Sequence, residues 1–284
     1  MSKVKYIVTG CLVLLIVICY LNWKYEVIAV YPFRSEGQQE LRVMTWNVHC
    51  SWGADEIRQR VIAELILKED ADLVLLNEYL QDSCSIADSI IKTRYPYTVE
   101  KNSHQKSGDI IYSKRTVFNS GRLYKMKDVK GVQFVKCTVS VSGDSVQVFG
   151  VHMDSNRYDS NSLDQVLESA PTSYNNYKNA QENRCLQAHW TKVAVLRSKH
   201  PVIVMGDMND FNCAAPLDTF AICGLKDSWW EGGNGYGATY HDGWLRLRID
   251  HILHSKELKL ESIKVIETDL SDHNPVVAGF SISK

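Results

Sequence analysis

The chain has 284 residues, a formal net charge of −1 and an apolar fraction of 45%. A near-neutral total excludes a general electrostatic pull on nucleic acid or acidic lipid, although a local basic rim is compatible with it. The length suits one large globular domain or two small ones, and there is no internal repeat or low-complexity tract.

The N-terminus differs in kind from the rest. No charged residue lies between Lys5 and Lys24, and Tyr6 to Leu21 is mostly Ile, Val, Leu and Cys. A run of roughly eighteen such residues is just long enough to cross a bilayer as a helix. Lys3 and Lys5 precede it, which favours a cytoplasmic N-terminus with the bulk of the chain outside the cytoplasm, periplasmic in a bacterium. A cleaved signal peptide would want an Ala-x-Ala site, which is missing. Val8-Thr-Gly-Cys11 imitates a lipoprotein box, but its apolar stretch follows the cysteine. The expected organisation is a single-pass membrane anchor over 1–24, a linker over 25–40 and a folded domain over 41–284. No C-x-x-C or Cys/His zinc spacing occurs. In an exported domain Cys213 and Cys223 could pair, with buried free thiols as the alternative.

Leu41 to Asn47 alternates apolar and polar residues and predicts a strand ending at Asn47. An amphipathic helix follows over 54–68, with Ile57, Val61, Leu65 and Ile66 near one face. Ala71 to Leu76 is a buried strand that delivers Asn77 and Glu78 at its end. A helix over Cys84–Lys92 precedes strands at Ser107–Ser113, Phe134–Val141 and Ser145–Val151, and Ser142-Gly-Asp144 makes a hairpin of the last two. His152 ends that hairpin. Arg157 to Asn176 reads as a surface loop, and Asn179 to Arg197 as a helix amphipathic through Leu186, Trp190, Val193 and Leu196. Pro201 to Met205 is a β-branched strand ending at Gly206, with Asp207 and Asn209 on one side of the extended chain. Trp229 to Gly243 reads as a surface loop. Strands over Arg248–Leu253 and Leu258–Ile266 come next, and Ser271-Asp-His-Asn-Pro275 feeds a last one. Strands mostly adjacent in sequence predict an α/β (α+β) fold of mixed sheets packed face to face with helices outside.

Asn47, Glu78, His152, Asp207 with Asn209, Asp250, and Asp272 with His273 all fall at or near predicted strand ends. One carboxylate at a strand end is ordinarily a cap. Together, the amides, carboxylates and imidazoles are what metal-assisted hydrolysis of a phosphate ester requires. The ordered pieces Thr45-Trp-Asn47, Asp72-Leu-Val-Leu-Leu-Asn-Glu78, Ser107-Gly-Asp-Ile-Ile-Tyr-Ser-Lys114, Val151-His152, Gly206-Asp-Met-Asn209, Arg248-Ile-Asp-His-Ile-Leu-His-Ser255 and Ser271-Asp-His-Asn-Pro275 resemble the endonuclease/exonuclease/phosphatase superfamily. Arg184-x-x-Gln-Ala188 is also similar to its members.

The resemblance implies a four-layered α/β sandwich of two packed mixed sheets flanked by helices, with the site at one edge. It implies that Asn47, Glu78 and Asp272 hold a divalent ion, Mg2+ or alternatively Mn2+ or Ca2+. It also implies that Asp207 handles the attacking water, Asn209 and His273 contact the phosphate, Asp250 pairs with His273, and His152 is a phosphate donor or general acid. Asp109, Arg184 and Thr239 are weaker candidates for substrate contact. Asp109 either partners His152 or caps a turn, and the turn is favoured. Asn77 departs from the Gln that is common in the family.

The implied reaction is hydrolysis of a phosphodiester or phosphomonoester. A nuclease is favoured, because Lys106, Lys114, Arg157, Arg246 and Arg248 and the aromatics Trp229, Trp230, Tyr236 and Trp244 could serve a nucleic acid. A sphingomyelinase or an inositol-phosphate hydrolase held close to lipid is the alternative, and an inactive binding module a third. Nothing in the sequence indicates a protein partner.

Overall fold

A computed structural model describes residues 13–22, 27–30, 37–49, 55–80, 83–100, 108–123, 134–155, 170–211, 214–243 and 245–283. In chain order the strands are β1 (Ala29–Val30), β2 (Leu41–Asn47), β3 (Leu73–Tyr79), β4 (Tyr97–Glu100), β5 (Gly108–Ser113), β6 (Val117–Leu123), β7 (Phe134–Val141), β8 (Asp144–His152), β9 (Val202–Asp207), β10 (Lys226–Asp227), β11 (Asn234–Gly235), β12 (Tyr240–Asp242), β13 (Leu245–Leu247), β14 (Asp250–His254), β15 (Leu258–Val265) and β16 (Val276–Ile282). The helices are α1 (Glu56–Glu69), α2 (Ser85–Lys92), α3 (Ala170–Leu196), α4 (Ala215–Ile222) and α5 (Ser228–Gly232).

Two six-stranded mixed sheets form the body, ordered β15-β16-β2-β3-β5-β4 and β10-β14-β9-β8-β7-β6. Each contains one parallel pair, β2 with β3 and β8 with β9, joined through α1 and α3 respectively. Val43, Leu75, Ile111, Val148, Ile203 and Ile252 fill the space between the sheets. Met44, Trp46 and Leu76 bury the outer face of the first sheet with Ile62, Ile66 and Ile91 of α1 and α2. Phe149, Val204 and Leu253 do the same for the second sheet with Ala188, Leu217 and Phe220 of α3 and α4. The result is the expected α/β sandwich.

The buried helix faces differ from the predicted ones. On α1, Ile57 is 76% exposed and Val61 40%, while Gln59, Ile62, Ala63 and Ile66 point inward. Gln59 is buried because its side chain accepts from the Ile86 and Ala87 amides and donates to the Ser83 carbonyl, holding the start of α2. On α3, Leu186 and Leu196 are exposed, whereas Arg184, Gln187, Ala188, Thr191 and Val195 are buried. In both cases polar side chains with specific partners displace the apolar stripe that periodicity suggests.

Three further expectations meet the structure here. Among the described residues no helix is long and apolar enough to cross a membrane. Residues 13–22 of the expected anchor are helical, and its remainder lies outside the described residues. Within the expected linker, β1 pairs with β11. Cys223 is a free thiol that donates to the Thr219 carbonyl, so the pairing with Cys213, itself outside the described residues, does not form. Cys84 is disulfide-bonded.

Candidate active site

The two sheets present polar side chains at the same edge because their parallel pairs end there together. In the first sheet Asn47 lies beside Asn77 in register. In the second, His152, Asp207 and Asp250 form one row across β8, β9 and β14. Two local irregularities sharpen this edge. The β3–β5 register shifts between Leu76 and Tyr79, and Glu78 within it takes a φ of 53°. Such a bulge re-aims a side chain at a strand end. Gly206 has a φ of 139°, and a Cβ there would run into the Val151 carbonyl oxygen, so only glycine admits the close approach of β8 to β9.

Asp207 is the centre of the site and 1% exposed. Its Oδ2 accepts from Asn47 Nδ2 at 3.0 Å, and its Oδ1 accepts from the Asn209 amide at 2.9 Å. His273 Nε2 faces the same Oδ2 at 3.8 Å and His152 Nε2 at 3.9 Å. Burial and the charge of Asp250 raise the Asp207 pKa, against the opposing pull of His273 and His152.

His273 Nδ1 meets Asp250 Oδ2 at 2.8 Å in a buried couple. Burial opposes a charge on His273, but Asp250 and Asp207 outweigh it and push the pKa up to about 10. Trp46 Nε1 donates to the His273 carbonyl, and Ser271 Oγ donates to the Asn47 carbonyl, so the loop carrying His273 is fastened to β2. Tyr240 lies edge-on to the His273 ring at 5.0 Å between centroids.

A second imidazole–carboxylate couple stands opposite. His152 Nδ1 lies 3.7 Å from Asp109 Oδ1, and Nε2 lies 3.7 Å from Glu78 Oε1. Burial disfavours the charged ring; Asp109, Asp207 and Glu78 nevertheless raise the His152 pKa to about 9. Asp109 therefore partners His152 from within β5, and the turn-cap reading is overturned. Asn77 explains its placement: one amide donates to Asp109 Oδ1 and to the Val151 carbonyl and accepts from the Asp207 amide, stitching the two sheets.

Asn47 Nδ2 also donates to Glu78 Oε1 at 3.0 Å. Asp272 lies at the same rim, where His49 Nδ1 meets its Oδ2 at 3.0 Å. Burial works against ionisation of Asp272, but the bond from His49 and the nearby charge of His273 hold its pKa low. His49 escaped the sequence reading, although its position two residues after Asn47 was a signal. Asp207, Asp250 and His273 each offer a ligand atom, all within 4.8 Å of one another.

Two weak candidates have partners within the fold. Arg184 is 0% exposed and pairs with Asp210 at 2.9 Å. Thr239 Oγ1 accepts from the Ile249 and Asp250 amides, setting the start of β14. The expected cationic and aromatic rim is also revised. Lys114 follows the far end of β5 and holds Asp70, and Arg248 is buried against Asp227 and His251. Lys106, Arg157 and Trp244 lie outside the described residues. Trp229 is half-buried on Gly233 and Gly237, and the expected loop around it contains α5, β11 and β12.

The fold is shared with solved structures. The catalytic domain of human Nocturnin with bound sulfate has a TM-score of 0.64 at 19% identity, over 87% of this chain and 95% of that one. TDP2 of D. rerio complexed with a single-strand DNA product has a TM-score of 0.64 at 17% identity, over 85% and 98%. The 3′ phosphatase NExo from Neisseria, bound to a product DNA hairpin, has a TM-score of 0.62 at 21% identity, over 85% and 99%. No curated protein sequence matches the chain. Residues 44–273 match the endonuclease/exonuclease/phosphatase family. The chain belongs to that family.

Proposed function

We propose that the chain hydrolyses a phosphodiester of nucleic acid with the help of a divalent cation, preferentially Mg2+. The convergence of Asn47, His152 and His273 on one oxygen of Asp207 carries this reading. The two imidazoles stand 3.9 and 3.8 Å from that oxygen, too far for direct hydrogen bonds. Each ring nitrogen is therefore a donor for an oxygen of the reacting phosphate or its attacking water.

The roles follow from the surroundings. Asp207, held by two donors and raised by burial, orients the water and takes its proton. His273, kept charged by Asp250, faces the phosphate as a cationic donor. His152 supplies the leaving oxygen with a proton, with Asp109 behind it. Asn209 spends one Nδ2 hydrogen on the Met153 carbonyl and has the other for a phosphate oxygen. Glu78 and Asp272 present carboxylate oxygens at the rim, and Asn47 Oδ1, which accepts the His49 amide at 3.0 Å, keeps a second lone pair, a hard-donor set that suits Mg2+. Bound there, the ion would neutralise charge developing on the phosphate. The Asp207, Asp250 and His273 cluster is the less suitable holder, because Asp250 and Asp207 favour a protonated His273, whose ring then has no lone pair for an ion.

Nucleic acid is favoured over lipid or inositol phosphate because relatives of the same fold are known with DNA products. The bonded state of Cys84 supports placement of the domain outside the cytoplasm, where disulfides persist. Exposed Leu14, Ile16 and Ile18 on the helix at 13–22 support a membrane anchor. Full-length protein is assayed with Mg2+ on plasmid DNA, RNA, sphingomyelin and phosphoinositides, beside Asp207→Ala. The reading expects DNA or RNA to be cleaved and the variant to lose at least about a hundredfold. Turnover of a lipid alone overturns the substrate class, and an undiminished variant overturns the site. Recovery of the full chain in the soluble fraction without detergent overturns the anchor.

A further inference from the structure

Helix α3 buries polar side chains where an outer helix ordinarily buries apolar ones. Asn183, Arg184 and Gln187 lie on one face, at three- and four-residue spacing. All three reach Asp154, two residues beyond His152. Gln187 Oε1 accepts from the Asp154 amide at 2.9 Å, Arg184 Nη1 donates to the Asp154 carbonyl at 3.0 Å, and Asn183 Nδ2 donates to Asp154 Oδ2 at 2.8 Å. Every polar group of one loop residue is thus held by one helix.

The same face holds a second loop. Arg184 Nε donates to Asp210 Oδ2 at 2.9 Å, one residue beyond Asn209, in an ion pair with neither side chain exposed. The loops are also tied directly, through the Met153 amide to the Asp207 carbonyl and Asn209 Nδ2 to the Met153 carbonyl. His251 Nε2 approaches the Asp210 carbonyl at 3.2 Å, connecting the second loop to β14, the strand that begins with Asp250.

We propose that Asn183, Arg184 and Gln187 are positioning residues that couple the loops after β8 and β9, so that His152 and Asn209 are set against Asp207 as a unit. A buried ion pair adds little to stability relative to an apolar contact of similar volume, whereas it fixes geometry in two loops at once. The β8–β9 ladder sets His152 beside Asp207, and the helix holds the two loops that follow them in one arrangement. This rests on the phosphoesterase reading above for its effect on turnover, but not for the mechanical coupling.

The test uses full-length protein and two readouts. Gln187→Leu removes the acceptor for the Asp154 amide, and Gln187→Glu retains one; Asn183→Ala is a milder second probe. Hydrogen exchange in metal-free protein is expected to accelerate by at least about tenfold in Gln187→Leu, at residues 153–155 and also at 208–210. Acceleration confined to 153–155 overturns the coupling, whatever the substrate. With Mg2+ and bis(4-nitrophenyl) phosphate, kcat is expected to fall about tenfold with KM within about twofold, and Gln187→Glu to recover most of it. In a His152→Ala background Gln187→Leu should cost clearly less, the remainder acting through Asn209. An equal loss in both backgrounds overturns the role through His152. A wild type inert on every phosphoester overturns the proposed function, and the exchange result still decides the coupling.

Discussion

The two carboxylate–imidazole couples on either side of Asp207 are built to different tolerances. Asp250 and His273 meet at 2.8 Å with side-chain exposures of 0% and 7%. Asp109 and His152 stand 3.7 Å apart, and His152 is 21% exposed. The tight pair has its loop fastened through Trp46 and Ser271. In the loose pair, Asp109 shares its facing oxygen with Asn77. A carboxylate locked onto a buried imidazole holds a charge in place, whereas a looser and more exposed ring can exchange its proton within a catalytic cycle. Under the proposed function, this difference suits His273 to charge stabilisation and His152 to proton transfer.

The largest effect should come from breaking the tight couple. His273→Ala is expected to lower kcat by at least about a hundredfold without unfolding the chain, measured by steady-state turnover beside a thermal melt. Asp109→Asn breaks the loose couple and should cost less, about tenfold, with the high-pH limb of the rate profile moved to lower pH as His152 loses its partner. If the two losses come out equal, the couples are not functionally distinct. Glu78→Gln sharpens the comparison from the side of the ion. It should raise the Mg2+ concentration for half-maximal rate by about tenfold or more. An unchanged requirement would move the ion onto Asp207, Asp250 and His273.

The smallest effect is on stability. The folded pKa of His273, about 10, lies above its ordinary 6.5. Its contribution is therefore fully present below about 6.5 and is lost as pH rises toward about 10. Metal-free protein should melt at progressively lower temperature across that window, and Asp250→Asn should flatten the trend. A melting temperature independent of pH would show that the couple stores no such energy.

Much of this was legible because the strands that deliver the site are long, apolar and end in a polar residue. Leu41–Asn47 and Phe134–Val141 have the observed bounds, and Asn47, Asp207 and Asp250 stand at ends of observed strands. The edge strands were hidden. Tyr97–Glu100 is short, and Val117–Leu123 carries Asn119, Ser120 and Gly121, so neither shows apolar alternation. The first turns of α3, rich in Thr, Ser, Asn and Tyr, read as loop for the same reason. Within the site, composition and spacing pointed to the amide, carboxylate and imidazole groups but not to their pairings. Asp109 faces His152 across two sheets that Asn77 bridges, and Arg184 is buried in an ion pair with Asp210 of another segment. Such long-range contacts leave no local signature.

The central claim, that one imidazole is held charged while the other is free to trade its proton, can be measured without knowing the substrate. Titration of the His152 and His273 ring signals by NMR in metal-free full-length protein, assigned with His152→Ala and His273→Ala, gives both pKa values directly. The account predicts that both lie well above 6.5, raised by Asp109 and Asp207 at His152 and by Asp250 and Asp207 at His273. A His273 that titrates near 6.5 would contradict it.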